Sequence, residues 1–188
     1  PSNPRCAHCH VPFAGIGGLV APLMGGGRPS KKNPHYCDAC TLYNTKISGG
    51  AEVTLTMLFA DVRGSTSLAE KMGAVAFSRL MNRFYQATID ALVESDAFID
   101  KLVGDEVTGL FIPGYAGPEH ARRAVEAGQA VLRATGHADP GGPWVPAGVG
   151  IHTGVAWVGS IAGASGDTAD FTALGDNDID APRGRFAG

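Results

Sequence analysis

Residues 52–66 read EVTLTMLFADVRGST, and this stretch decides the fold. Its opening run, EVTLTMLFA, is dense in β-branched and apolar residues, the composition of a strand with at least one buried face. The run stops at Asp61-Val62-Arg63-Gly64-Ser65-Thr66, an acidic turn with a glycine at its bend. A core strand therefore delivers a carboxylate to the edge of a sheet.

Beyond the turn, Leu68, Met72, Phe77, Leu80, Met81, Phe84, Ile89 and Leu92 recur at threes and fours, which predicts two consecutive helices broken at Gly73. Ala97–Val103 and Val107–Ile112 are short apolar segments separated by Gly104-Asp105-Glu106, the composition of a tight hairpin. Pro118–Thr135 opens with proline and glutamate and closes before Gly136, the start and stop signals of another helix. Strands are expected at Ala147–Val155, Ala156–Ile161 and Asp170–Leu174. This order predicts an α+β fold, a ferredoxin-like split β-α-β sandwich with helices on one face of a mostly antiparallel sheet.

Upstream of the strand the chain changes character. Residues 1–50 hold eight glycines, all four cysteines and little apolar periodicity, so a boundary is expected near Ser48-Gly49-Gly50. We expect a four-cysteine module over 1–48 and a larger domain over 51–188. The uncharged stretch Val11–Gly27 contains six glycines and two prolines and reads as a glycine-rich loop, not a membrane helix. Pro1 in place of Met points to a processed or trimmed product. The 188 residues are 44% apolar and 18% charged with a net charge of -3, and the basic residues form no blocks; a nucleic-acid partner is not expected.

Cys6-x-x-Cys9 and Cys37-x-x-Cys40 form two knuckle-like pairs, and four thiolates can close a tetrahedral zinc site in a zinc-ribbon-like module. The spacer of 27 residues, His10–Tyr36, is longer than the commonest ribbon spacing. An iron–sulfur centre is an alternative. Cys6-Ala7-His8-Cys9-His10 also satisfies the C-x-x-C-H haem-attachment pattern, although haem leaves the second pair unexplained.

Asp61 and Asp105 each follow an apolar strand. Neighbouring strands lie about 5 Å apart, so carboxylates at adjacent strand ends can share one or two hard cations. Two such ions suit phosphoryl or nucleotidyl transfer. Gly64-Ser65-Thr66 leads into a helix whose first N–H groups would face a triphosphate. Taken singly, each aspartate also reads as an ordinary turn or cap residue.

Four segments occur in this order: TMLFADVRGSTSLAE (56–70), DKLVGDEVTGLF (100–111), VGIHTGVAWVGSIAG (149–163) and DFTALGD (170–176). Together they resemble the class III nucleotidyl cyclase catalytic domain over roughly residues 52–176. The resemblance implies conversion of a nucleoside triphosphate to a 3′,5′-cyclic monophosphate and pyrophosphate, with two Mg²⁺ or Mn²⁺ per site. Asp61, Asp105 and the carbonyl of Val62 match the metal ligands. Lys101 and Thr172 match the adenine-reading pair, which implies ATP and adenylate cyclase activity over GTP and guanylate cyclase activity; Lys101 also reads as a solvated strand-edge lysine. The family forms each site between two subunits, so a homodimer is implied, in the cytoplasm, where disulfides are disfavoured. His152, Trp144 and Trp157 read as structural.

The resemblance breaks after Asp176. The family continues with a helix of the form VNxAAR; here Ile179 stands at the asparagine position, Pro182 interrupts the helix and Arg183 matches the catalytic arginine. The family pattern also extends beyond Gly188, so the catalytic domain is expected to be C-terminally truncated. A catalytically inactive cyclase-homology protein that binds nucleotide or a partner is the alternative reading.

Overall fold

The computed structural model describes residues 5–24, 27–30, 33–41, 49–162 and 169–174. Contacts divide the chain into two units, one formed by the part up to Val53 with Trp157–Leu174, the other by Thr54–Ala156.

In the N-terminal part, backbone bonds do most of the folding. Cys6 N–H to the Val11 carbonyl (2.9 Å) and His10 N–H to the Cys6 carbonyl (2.9 Å) close the first knuckle. Ser30 N–H to Tyr36 (2.8 Å) and Asp38 N–H to Arg28 (2.7 Å) draw a second loop together, and Ala7 N–H reaches His35 across them at 2.8 Å. The stretch expected to be a glycine-rich loop instead contains a short helix, α1 (Gly15–Val20), and a 3-10 turn, Ala21–Met24. Gly17 and Gly18 permit it, because a Cβ there would meet Pro12 at 2.7 Å and the Phe13 backbone at 2.6 Å.

The next element is β1 (Gly49–Val62), whose β-branched and apolar residues alternate across a sheet. Two helices follow, α2 (Ser65–Met72) and α3 (Ala74–Glu94), separated at Gly73, whose φ of 77° only glycine adopts readily. Helix α3 buries Met81, Phe84, Thr88, Ala91 and Leu92, one face at helical spacing. It ends in a Schellman turn: Asp96 takes φ 62°, and Ala97 N–H returns to the Leu92 carbonyl at 3.0 Å. The hairpin β2 (Phe98–Val103) and β3 (Glu106–Phe111) comes next, then a short α4 (Pro113–Ala116) and α5 (His120–Ala134).

The sequence patterning suggested two strands over Ala147–Ile161. One continuous strand stands there instead, β4 (Ala147–Ala162). Gly148 and Gly154 supply no turn; they make room for neighbours, since a Cβ would lie 3.1 Å from Arg63 Nε at Gly148 and 2.9 Å from the His152 ring at Gly154. The last described strand is β5 (Ala169–Leu174).

The sheet order is β2-β3-β1-β4-β5. β3 lies antiparallel between β1 and β2, so β1 and β2 run the same way with a strand inserted between them. This is the split β-α-β arrangement expected from the sequence. Leu58, Phe84, Leu92, Val107, Phe111, Val131 and Val145 meet in one core and are fully buried. Burial of such side chains contributes about 1.5–3 kcal/mol each. Close approach is built in: a Cβ on Gly128 of α5 would lie 3.1 Å from Val149 of β4.

Candidate active site and four-cysteine centre

The β1–β3 register places Asp61 opposite Glu106, at the end of the ladder where the β2–β3 turn begins. Gly104, with φ 62°, turns the hairpin. Val62 N–H then donates to the Asp105 carbonyl at 3.2 Å, so the turn is tied to the first residue beyond Asp61. The two aspartates singled out from the sequence therefore lie close enough for the charge of one to act on the other. Partial burial, then the charge and hydrogen bonding of Asp105 and the charge of Glu106, push Asp61 up to about 6, with the Val62 N–H acting the other way. Crowded carboxylates of this kind are the donor set that a divalent cation relieves.

Val62 is buried and follows Asp61 within β1. Gly64, at φ 68°, opens α2 without a capping side chain, and Ser65 and Thr66 form its first turn. The first N–H groups of a helix have no intrahelical partner and favour anions. Arg63 donates its N–H to the Pro146 carbonyl at 2.7 Å.

Lys101 sits after a β-bulge at Asp100. The bulge breaks alternation: Phe98, Ile99 and Asp100 are buried, whereas Lys101, Leu102 and Val103 are exposed. Lys101 Nζ lies 3.9 Å from the buried Asp100 carboxylate, with the lysine side chain half exposed. Thr172 is buried on β5, opposite Gly159 of β4. Arg183, Ile179 and Pro182 lie outside the described residues.

Sequence reasoning missed Tyr85 and Glu106. The Tyr85 hydroxyl donates to the Gly104 carbonyl beside Asp105. Burial and the Asp105 charge raise its pKa, which keeps the phenol a donor at neutral pH. Trp144, read as structural, donates from Nε1 to the Ala134 carbonyl at 2.9 Å and carries the Arg83 guanidinium 3.9 Å above its ring.

The ligand sulfurs of Cys6, Cys9, Cys37 and Cys40 all lie within 4.8 Å of one another. Cys9 and Cys37 Sγ are 3.6 Å apart. Backbone N–H groups point at sulfur, Cys37 N–H to Cys6 Sγ at 3.2 Å and Cys40 N–H to Cys37 Sγ at 3.3 Å. At Cys6 burial opposes ionisation, but N–H donors of Cys9, Cys37 and His8 outweigh it and lower the thiol to about 7. Burial and neighbouring sulfurs push Cys37 and Cys40 the other way. Such a set fits a tetrahedral cation, whose charge allows all four thiols to ionise.

No family profile matches the chain. It is 30% identical over 139 residues to an adenylate cyclase of Anabaena cylindrica, covering 71% of this chain and 27% of that protein. Among solved structures, the adenylyl cyclase CyaB from P. aeruginosa matches with a TM-score of 0.57 and 28% identity over 67% of each chain. The guanylyl cyclase Cya2 matches with a TM-score of 0.57 and 26% identity, over 68% of this chain and 66% of its own. The split sheet with carboxylates at its strand ends, matched over two thirds of the chain, defines a nucleotidyl cyclase-type domain. Over about two thirds of its length the chain is similar to nucleotidyl cyclases, and it spans about a quarter of the length of the Anabaena relative.

Proposed function

We propose that the chain carries the catalytic part of an adenylate cyclase, converting ATP to 3′,5′-cyclic AMP and pyrophosphate, within a domain over 51–188 that follows a zinc-binding module over 1–48. The observation that carries this reading is the position of Asp61 beside Asp105, where the end of the β1–β3 ladder is tied to the turn by Val62 N–H on the Asp105 carbonyl. These carboxylates and the Val62 carbonyl would hold two Mg²⁺ or Mn²⁺. Bound there, the ions supply charge neutralisation and activation of the ribose 3′-oxygen. The Gly64-Ser65-Thr66 turn offers N–H groups to the triphosphate. Lys101 donates to adenine N1, and Thr172 accepts from the exocyclic amine; guanine presents the opposite pattern at both atoms. Arg183 would stabilise charge developing on the phosphate.

Each site takes metal ligands from one subunit and base-reading residues from the other, so the acting form is a homodimer. The cytoplasm supplies ATP and reduced thiols for zinc. Among the described residues no helix is long and apolar enough to cross a membrane.

The test is cyclic AMP formation from ATP with Mn²⁺, resolved chromatographically, for the wild type and Asp105→Ala. Turnover lost in the variant by at least about 10²-fold supports the reading. Absence of turnover in the wild type overturns it. A second reading, nucleotide binding without turnover, is favoured by Ile179 at the family's asparagine position. Mn²⁺-dependent ATP binding with no product would support that reading.

A further inference from the structure

Tyr85 lies 19 residues before the turn it touches. It extends from α3 one residue after Phe84, whose fully buried ring fixes that part of the helix in the core. The two rings pack with centroids 6.1 Å apart, so the phenol is aimed by the core packing. Its hydroxyl donates to the carbonyl of Gly104, which belongs to the peptide preceding the Asp105 Cα. The peptide following that Cα is held from the other side, by Val62 N–H on the Asp105 carbonyl at 3.2 Å.

Both peptide planes flanking Asp105 are therefore anchored, one to α3 and one to β1. Fixing both planes fixes φ and ψ at Asp105 and leaves only its side-chain torsions free. A turn opening on a glycine with φ 62° needs such an anchor, because glycine alone restrains the backbone least.

We infer that Tyr85 is a positioning residue that holds the Asp105 carboxylate for divalent-cation binding beside Asp61. The inference rests on the proposed function for the identity of the site. Outer-shell partners of this kind typically change metal affinity by about 10–100-fold.

The experiment compares the full chain as wild type, Tyr85→Phe and Gln86→Leu. The first variant keeps the ring and deletes only the hydroxyl. The second removes the exposed Gln86–Asp90 hydrogen bond of the same helix and controls for helix effects. Mn²⁺ binding is measured by electron paramagnetic resonance without nucleotide, alongside the Mn²⁺ dependence of ATP turnover, KM for ATP and the thermal midpoint.

For Tyr85→Phe we expect Mn²⁺ binding and half-activation to move at least about tenfold higher. KM for ATP at saturating Mn²⁺ and the thermal midpoint should stay put, with turnover restored by excess Mn²⁺. Gln86→Leu should match the wild type. Unchanged Mn²⁺ binding in Tyr85→Phe overturns the inference, as does a loss of turnover that excess Mn²⁺ does not restore. A wild type that binds Mn²⁺ without turnover removes the proposed activity, while the resonance comparison still decides the role of Tyr85.

Discussion

Asp61 stands opposite Glu106 at the end of the β1–β3 ladder, and one step further on Val62 N–H crosses to the Asp105 carbonyl at 3.2 Å, which sets the two aspartates side by side. Partial burial, then the charge and hydrogen bonding of Asp105, raise the Asp61 acid from 3.8 to about 6. Such a group binds its proton more tightly when folded. Its contribution to stability is present below the ordinary value of 3.8 and lost as pH rises through about 6. Other carboxylates add their own pH dependence, so the informative quantity is the difference between wild type and Asp61→Asn. Without divalent ions, the thermal midpoint of the wild type should fall relative to Asp61→Asn between about pH 4 and pH 7. The side chain is exposed, and solvent screening keeps the difference small. Mn²⁺ at neutral pH should raise the wild-type midpoint more than that of Asp61→Asn.

The strand-to-turn reading of 52–66 transferred well because two local signals agreed, β-branched density and a glycine bend after the carboxylate. Gly73 was equally legible, since only glycine takes that φ readily. The long β4 was not. Its glycines look like turn residues in sequence, but they are spaces for Arg63 and His152, and that distinction exists only after packing. Asp61 and Asp105 could be paired by family resemblance and by strand spacing. Tyr85 could not, because a helical aromatic of the right period reads as core and nothing local says where its hydroxyl ends. The bulge at Asp100 was invisible for the same reason: it is a property of the ladder with β3.

Lys101 owes its exposure to that bulge, which leaves it beside the edge of β2 after three buried residues. If it reads adenine, Lys101→Glu replaces a donor with an acceptor opposite N1. The kcat/KM for ATP should fall by at least about 10²-fold, because one polar partner is lost and the other is left unpaired. The fold should survive, since the side chain is half exposed and its ion pair with Asp100 is long at 3.9 Å. Parallel assays with ATP and GTP check this; an unchanged ATP preference removes Lys101 from base reading.

The four sulfurs gather within 4.8 Å, and the Cys37 N–H donating to Cys6 Sγ at 3.2 Å helps bring the Cys6 thiol down to about 7. Elemental analysis should find about one zinc per chain, reduced severely by Cys6→Ser, because a three-thiolate site binds the ion with an open position. Cys6 is the sharpest choice, as it is fully buried and receives the Cys37 N–H. A chelator should release the metal and lower the protease resistance of residues 5–41, while the helices and sheet of Thr54–Ala156 keep their circular dichroism. Iron or haem absorbance in the purified protein would replace zinc as the occupant.

Thr56 is fully buried on β1, and its single hydroxyl meets His120 Nδ1 of α5 and Thr153 Oγ1 of β4, each at 2.8 Å. A hydroxyl can donate to one partner while accepting from the other, so the three groups satisfy one another with either histidine tautomer. Thr56→Val preserves shape and removes both bonds at once. Thr153 is exposed and can turn to water, whereas His120 at the start of α5 is only partly so. The loss should be about 1–3 kcal/mol in urea denaturation, with the slope unchanged because the surface exposed on unfolding is the same. Thr153→Val alone should cost less, since Thr56 then keeps His120. If the two single variants are equally destabilised, the histidine contact contributes nothing, and α5 is held to the sheet by its buried face of Ala124, Ala127, Gly128 and Val131.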